Sequence, residues 1–308
     1  MSKQVIITAK VHEYLINELQ AKGFAVDYRP SITYDELMAA IHGASGLIVT
    51  TRIKVDKAML DRASQLEWIG RLGSGMELID TAYAAQKGIR LASSPEGNRD
   101  TVGEQAVGML VMLMHNLLKS SLELRQGIWE RDGNRAWELG GRTVGIIGFG
   151  HTGGAFAQRL RGFGVKILAY DKYKTGFSDE FVQEATLEDL YREADIVSLH
   201  LPLTEETRHL GNMSFFQSFH KPVYLLNTSR GKVVKTADVV QALENGALAG
   251  AALDVLENEK LETFNETEKA EFQYLLAHPR AVITPHIAGY SHEASIKMAK
   301  VTLEKLGL

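Results

Sequence analysis

The chain contains no cysteine. Disulfides, thiolate metal sites and a cysteine nucleophile are thereby excluded. Strong charge of either sign is also missing. A net charge of −4 over 308 residues offers no basic surface of the kind that nucleic acid selects. Long apolar runs are absent too: the most apolar stretch, residues 106–118, is too short to span a bilayer, and His115 and Asn116 interrupt it. The opening MSKQVIITAK has too few apolar residues for a signal peptide, so a cytoplasmic protein without a membrane partner is expected. No internal repeat or low-complexity tract stands out. What remains is a balance of 45% apolar and 23% charged residues, ordinary for a globular protein and long enough for two domains with real cores.

The most informative stretch is TVGIIGFGHTGGAFAQRLRGFGVKILAYD, residues 143–171. It begins with an apolar, β-branched run over 144–147, a buried strand. Gly148, Gly150 and Gly153 follow at G-x-G-x-x-G spacing, then a run at helical spacing over 155–163, and a second strand over 166–170. Each part has a physical task. Gly148 permits the tight turn, Gly150 lets the backbone approach a pyrophosphate, and Gly153 lets the helix pack closely on the strand. The helix N-terminus presents unpaired N–H groups and a partial positive charge to that pyrophosphate. Asp171, 18 residues past Gly153, stands where a carboxylate accepts hydrogen bonds from a ribose diol. Glycine spacing alone is a weak signal, but strand, turn, helix, strand and acid in this order predict dinucleotide binding. A carboxylate repels a 2′-phosphate, which favours NAD over NADP, with Lys172 and Lys174 close by as opposing charges.

The first hundred residues alternate strands (4–8, 24–28, 46–49, 66–70 and 89–91) with helices (11–20, 33–43 and 56–63). The pattern resumes after Asp171 with strands over 195–199, 223–226, 247–253 and 281–284, and helices over 186–194 and 236–245. Alternation of this kind predicts parallel sheets with right-handed crossovers, whose ligands sit at the carboxyl ends of strands. One such end, Arg71-Leu72-Gly73-Ser74-Gly75-Met76, is either an ordinary turn or a nest of backbone N–H groups suited to a carboxylate. Asp100 or Thr101 caps a helix running to about residue 120, apolar nearly all round, which suits a domain-connecting core helix, half of a subunit interface, or both.

Arg230, Glu259 and His286 each lie at or just past a strand end of the second half and suit one reaction. Arg230 can clamp a carboxylate and a carbonyl. His286 can give or take a proton near working pH. An ionised Glu259 beside it would favour the imidazolium. The bland readings are that Glu259 belongs to a solvated acidic run, 257–259, and that His292 is the working histidine instead.

With these residues in view the chain resembles the D-isomer-specific 2-hydroxyacid dehydrogenase family. The matching stretches are GSGMELID, NRDTVGEQ, GIIGFGHTG, LHLPLTEETRHL, NTSRGKVV, LDVLENE and TPHIAG. The resemblance implies an α/β protein with a Rossmann-type doubly wound NAD-binding domain (residues 96–289) and a flavodoxin-like substrate domain (residues 1–95 and 290–308). It implies catalytic roles for Arg230, Glu259 and His286. Substrate contacts are implied at Ser74 and Gly75, with Arg52 as a further candidate. Cofactor contacts are implied at His151, Thr152, Asp171, Pro202, Thr228, Ser229, Arg230, Asp254 and the turn from His286 to Gly289. A homodimer built on the long helix and a fold-back of the C-terminal helix complete the picture. There are departures. The family often has Arg-Ile where this chain has His151-Thr152, and the residue before Glu104 is Gly103 rather than alanine. Formate dehydrogenases carry glutamine at the position of Glu259. Phosphoglycerate dehydrogenases tend to carry two arginines in the turn that here reads Thr50-Thr51-Arg52, and no residues are left for a regulatory domain. The expected activity is NAD-dependent interconversion of a D-2-hydroxy acid and its 2-keto acid. The alternatives are a phosphoglycerate dehydrogenase specifically, or a non-catalytic NAD(H) sensor on the same scaffold.

Overall fold

A computed structural model describes residues 2–308. The chain divides into two compact units, Met1–Thr101 with Gly289–Leu308, and Val102–Ala288. Among the described residues no helix is long and apolar enough to cross a membrane.

The first unit is built on β1 (Gln4–Ile7), β2 (Ala25–Tyr28), β3 (Ala44–Val49), β4 (Trp68–Arg71) and β5 (Arg90–Ser93). All pairs are parallel, in the order β2-β1-β3-β4-β5. That is the flavodoxin-like order, which places a switch point between β1 and β3. Side chains alternate across the pleat. Ile6, Leu47 and Ile69 therefore enter one core, while Val5, Ile7, Ile48 and Trp68 enter the other. The C-terminal helix His292–Leu306 closes this second core with Ala299, Leu303 and Leu306. It is pinned by Arg90 Nη1 donating to the Leu306 carbonyl at 2.6 Å and by a Lys305–Glu96 ion pair at 2.8 Å.

The second unit contains β6 (Thr143–Ile147), β7 (Lys166–Tyr170), β8 (Val182–Glu184), β9 (Ile196–Leu199), β10 (Val223–Asn227), β11 (Leu248–Leu253) and β12 (Ala281–Ile283). Their order is β12-β11-β10-β9-β6-β7-β8, all parallel. Read from β6, this is the Rossmann arrangement with a seventh strand added, and its switch point lies between β6 and β9. Both faces are covered, so β9 and most of β6 and β11 are buried outright.

Several elements differ from those expected from the sequence, three of them long helices. The long helix spans Pro95–Met114, not 101–120. Pro95 suits a first helical turn, because its missing N–H would be unpaired there anyway. Asn116, in the left-handed region at φ 53°, ends the run and starts a separate helix, Leu117–Arg125. The fingerprint helix starts at His151, four residues earlier than the apolar spacing indicates. A 12-residue helix, Glu266–Ala277, carries a capping box between Asn265 and Glu268 yet buries only Leu275, so its apolar pattern is faint.

Candidate active site

The glycine loop sits at the switch point of the second sheet. Gly148 has φ +93°, and a Cβ on it would overlap the backbone carbonyl of His200, just past β9. A Cβ on Gly153 would overlap the Gly148 carbonyl. Gly150 is the N-cap of the helix His151–Leu160 and brings no side chain to it, so the first-turn N–H groups have no side-chain cap. Asp171 follows β7. Its Oδ2 accepts from Phe149 N at 2.8 Å, and Oδ1 accepts from Tyr173 N at 2.9 Å and Lys174 N at 3.1 Å. These bonds hold the fingerprint loop against the carboxylate and still leave a lone pair on Oδ2 for a ribose hydroxyl. The two neighbouring lysines are engaged elsewhere. Lys172 pairs with Glu206, which also accepts from Tyr173 Oη at 2.6 Å, and Lys174 Nζ donates to the Phe149 carbonyl at 3.3 Å.

Further strand ends line up beside this loop. The Pro202 carbonyl accepts from Thr207 Oγ1 at 2.6 Å, which fixes the turn after β9. Buried Asn227 organises the turn after β10: its Oδ1 accepts from Ser229 N (3.0 Å) and Oγ (2.8 Å), and its Nδ2 donates to the Arg230 carbonyl at 3.1 Å. Between them, Thr228 Oγ1 is buried without a hydrogen-bond partner. A buried hydroxyl left so costs about 1–3 kcal/mol, and a bound ligand would relieve it. A cradle that two Cβ atoms would fill and an orphaned hydroxyl at the next strand end fit a dinucleotide.

The proton-transfer candidate lies just past β12. His286 Nδ1 is 2.9 Å from Glu259 Oε2. With that nitrogen donating to the carboxylate, Nε2 is left for chemistry. The two side chains are 41% and 44% exposed, open to a small solute. The hydrogen bond to Glu259 holds the imidazole above its ordinary range, although partial burial and the Arg230 charge pull the other way. His286 occupies the left-handed region at φ 54°, uncommon for a residue other than glycine. Asp254, 1% exposed after β11, maintains that conformation. Its carbonyl accepts from His286 N at 2.8 Å. Its carboxylate accepts from Thr284 Oγ1 at 2.5 Å, Ile287 N at 2.9 Å and Ala288 N at 2.8 Å. Asp254 is thus the clamp of the histidine turn, a role its place in the sequence did not reveal.

The acidic run 257–259 divides by function. Glu257 accepts from Thr236 N at 2.6 Å and lies 2.6 Å from His209 Nε2, while Asn258 Nδ2 donates to Thr263 Oγ1 at 3.0 Å and Glu268 Oε1 at 3.2 Å. Glu259 is the member that meets His286. Arg230 has its Nη1 2.7 Å from the Ser229 carbonyl. His292, the rival histidine, is the first residue of the C-terminal helix in the first unit.

In that first unit, Ser74 Oγ donates to Asn98 Oδ1 at 3.3 Å, and Gly75 follows in the same turn. Gly73 N donates to Ser94 Oγ at 3.0 Å, and Ser94 N returns a bond to the Gly73 carbonyl at 2.9 Å. Gly289 packs against Asn98. Arg52 is exposed, but its Nη2 donates to the Thr8 carbonyl at 3.1 Å and the Ile32 carbonyl at 2.7 Å, so it is held rather than freely solvated. Asn98, Asn227 and His200 also shape the site, although spacing along the chain does not mark them. Asn98 and His200 fall inside quoted motifs, but each acts on a residue of another element, which spacing along the chain does not encode.

Residues 107–288 match the model of the D-isomer specific 2-hydroxyacid dehydrogenase NAD binding domain. The chain is 33% identical over 272 residues to the hydroxypyruvate reductase of Thermotoga maritima, covering 88% of this chain and 87% of that one. It is 31% identical over 295 residues to D-3-phosphoglycerate dehydrogenase 2 of Saccharomyces cerevisiae, covering 94% of this chain but 63% of the yeast protein, so it spans less than two thirds of that relative's length. Among solved structures, the D-lactate dehydrogenase of Aquifex aeolicus complexed with NAD and lactic acid superposes with a TM-score of 0.85 at 26% identity, over 99% of this chain and 94% of that one. The chain belongs to the D-isomer-specific 2-hydroxyacid dehydrogenase family.

Proposed function

We propose that the protein catalyses the reversible, NAD-dependent reduction of a small 2-keto acid to the D-2-hydroxy acid. The observation that carries the reading is the His286–Glu259 pair at 2.9 Å, in the same unit as the dinucleotide cradle. NAD(H), when bound, supplies or accepts the hydride. In the direction of reduction His286 Nε2 protonates the keto oxygen, and Glu259 holds the imidazole charged until it does so. Arg230 binds the carboxylate and polarises the carbonyl. Ser74 and Gly75 contribute further donors to the carboxylate. The second unit is the nucleotide-binding domain in this reading and the first the substrate domain. A cytoplasmic location belongs to the same reading.

For the cofactor we expect NADH to be preferred over NADPH, because Asp171 repels a 2′-phosphate and Lys172 is neutralised by Glu206. Asp171→Ala should lower kcat/KM with NADH more than with NADPH and narrow the gap. Equal kcat/KM for the two cofactors in the parent protein would remove the basis of this assignment.

For the substrate the reading favours a small polar acid, hydroxypyruvate or glyoxylate, with phosphohydroxypyruvate close behind. Two of the five N–H donors of Arg52 face backbone carbonyls. The remaining three can meet a phosphate, but a phosphate dianion usually recruits more than one cation. Kinetics with hydroxypyruvate and phosphohydroxypyruvate, in the parent and in Arg52→Ala, decide the ranking. A large preference for the phosphorylated acid that collapses in the variant would make this a phosphoglycerate dehydrogenase. That second reading is favoured by the 31% identity to the yeast enzyme of that name.

A homodimer also belongs to the reading. Leu122, Leu124 and Ile128 are 46%, 53% and 48% exposed on and just past the helix Leu117–Arg125, and Trp129 beside them is 80% exposed. Apolar exposure of this kind on neighbouring residues marks an association surface. Sedimentation velocity at micromolar concentration should give a dimer, and a monomer would count against it.

A further inference from the structure

Beneath the glycine loop lies a buried polar chain that the reaction does not use. Ser198 lies within β9, 0% exposed, and its Oγ is 2.8 Å from His200 Nε2. His200, 7% exposed, has its Nδ1 3.2 Å from Thr152 Oγ1. Thr152 is the second residue of the fingerprint helix and only partly buried. Burial pushes the imidazole down to about 3, so His200 is neutral at any working pH.

A neutral imidazole has one donor and one acceptor nitrogen. Which is which follows from Ser198. The hydrogen bond to His200 is the one the structure gives its hydroxyl. If Nε2–H donated to Ser198, the buried serine proton would have no acceptor. An unsatisfied buried donor is the costlier fault. Ser198 therefore donates to Nε2, Nδ1 carries the ring proton, and Nδ1–H donates to Thr152 Oγ1. The Thr152 hydroxyl accepts this bond from below, and its own proton is left to donate outward at the uncapped first turn of the helix. An apolar side chain at this position would leave His200 Nδ1–H unpaired.

We propose that Ser198 and His200 are positioning residues that hold the Thr152 hydroxyl as a donor to the pyrophosphate of the cofactor. The proposal rests on the NAD reading above and adds a side-chain contact, made in this chain by a threonine, to those of the backbone amides. His200 acts through its tautomer and not through charge.

Binding of NADH, ADP and adenosine, followed by fluorescence and calorimetry, tests it without turnover. Thr152→Val should weaken ADP and NADH by about tenfold, the worth of one hydrogen bond to a charged group, and leave adenosine unchanged. Thr152→Ser should restore most of the loss. His200→Leu should weaken ADP by no more than Thr152→Val, and the double variant should be no worse than the valine variant alone. In the parent protein, long-range ¹H–¹⁵N spectra should show His200 with a protonated Nδ1 and an unprotonated Nε2 across pH 6–9, a range chosen around the ordinary histidine value. An Nε2–H tautomer, or ADP affinity unchanged in Thr152→Val while the parent binds ADP, overturns the proposal. A parent that binds neither NADH nor ADP overturns the NAD reading beneath it.

Discussion

His286→Ala should lose turnover by ~10²–10⁴-fold, the usual worth of a positioned acid–base group. NADH should still bind, because the cradle around Gly148, Gly153 and Thr228 does not depend on the imidazole. The partner variant gives a signed pH effect. Glu259 raises the His286 pKa through the hydrogen bond to Nδ1. A raised pKa means that the imidazolium needed for keto-acid reduction persists above the ordinary histidine range and is lost as pH rises through the raised value. Glu259→Gln withdraws that support, so the basic limb of kcat/KM for reduction should move to lower pH. In the oxidation direction the neutral imidazole is needed, and the acidic limb should move the same way. Full activity in His286→Ala, or a basic limb that stays in place in Glu259→Gln, would transfer the proton to another group, with His292 the first to examine.

Gly148→Ala should weaken NADH binding by about 100-fold or more and lower thermal stability. Two effects add. A side chain at φ +93° is strained by about 1–2 kcal/mol. The new methyl also overlaps the His200 carbonyl, and relieving that overlap shifts backbone on both sides of the switch point, at about 1–3 kcal/mol. In the free variant the loop relieves this strain by shifting, and restoring it against the cofactor costs the same energy again; about 3 kcal/mol is roughly two decades in affinity. The damage falls on the loop that faces the pyrophosphate and on the strand end carrying His200. Calorimetric titration with NADH reads it directly, and an unchanged Kd would mean that this loop is not the cofactor cradle.

The parts of the molecule visible in the sequence are those encoded locally. The glycine fingerprint occupies six consecutive residues between two strands, so its turn, helix and terminal acid are visible together. The apolar spacing shows only the later part of its helix, because Gly153 and Gly154 are poor helix formers and add no apolar position. Glycine is nonetheless required at 153, where a Cβ would overlap the Gly148 carbonyl. The long helix begins before the cap expected at Asp100 or Thr101, because proline is well suited to a first helical turn. Helices with little buried surface, such as Glu266–Ala277 and Thr81–Gln86, left almost no periodic signal. At the site, strand ends and the family resemblance point to Arg230, Glu259 and His286, but local spacing does not explain why Glu259 and not Glu257 faces the histidine. That choice is made by Thr236 and His209, 21 and 48 residues earlier in the chain, which engage Glu257 and leave Glu259 to the histidine. The left-handed His286 and its clamp Asp254, 32 residues earlier in the chain, are likewise products of the sheet and not of local spacing.

The most direct test of the account is a panel of 2-keto acids (glyoxylate, hydroxypyruvate, phosphohydroxypyruvate and pyruvate) scored by NADH oxidation, with the configuration of the product determined. The account predicts turnover of at least one small 2-keto acid, yielding the D-2-hydroxy acid and largely lost in His286→Ala. NADH binding without turnover of any member would contradict it and leave a sensor on a dehydrogenase scaffold.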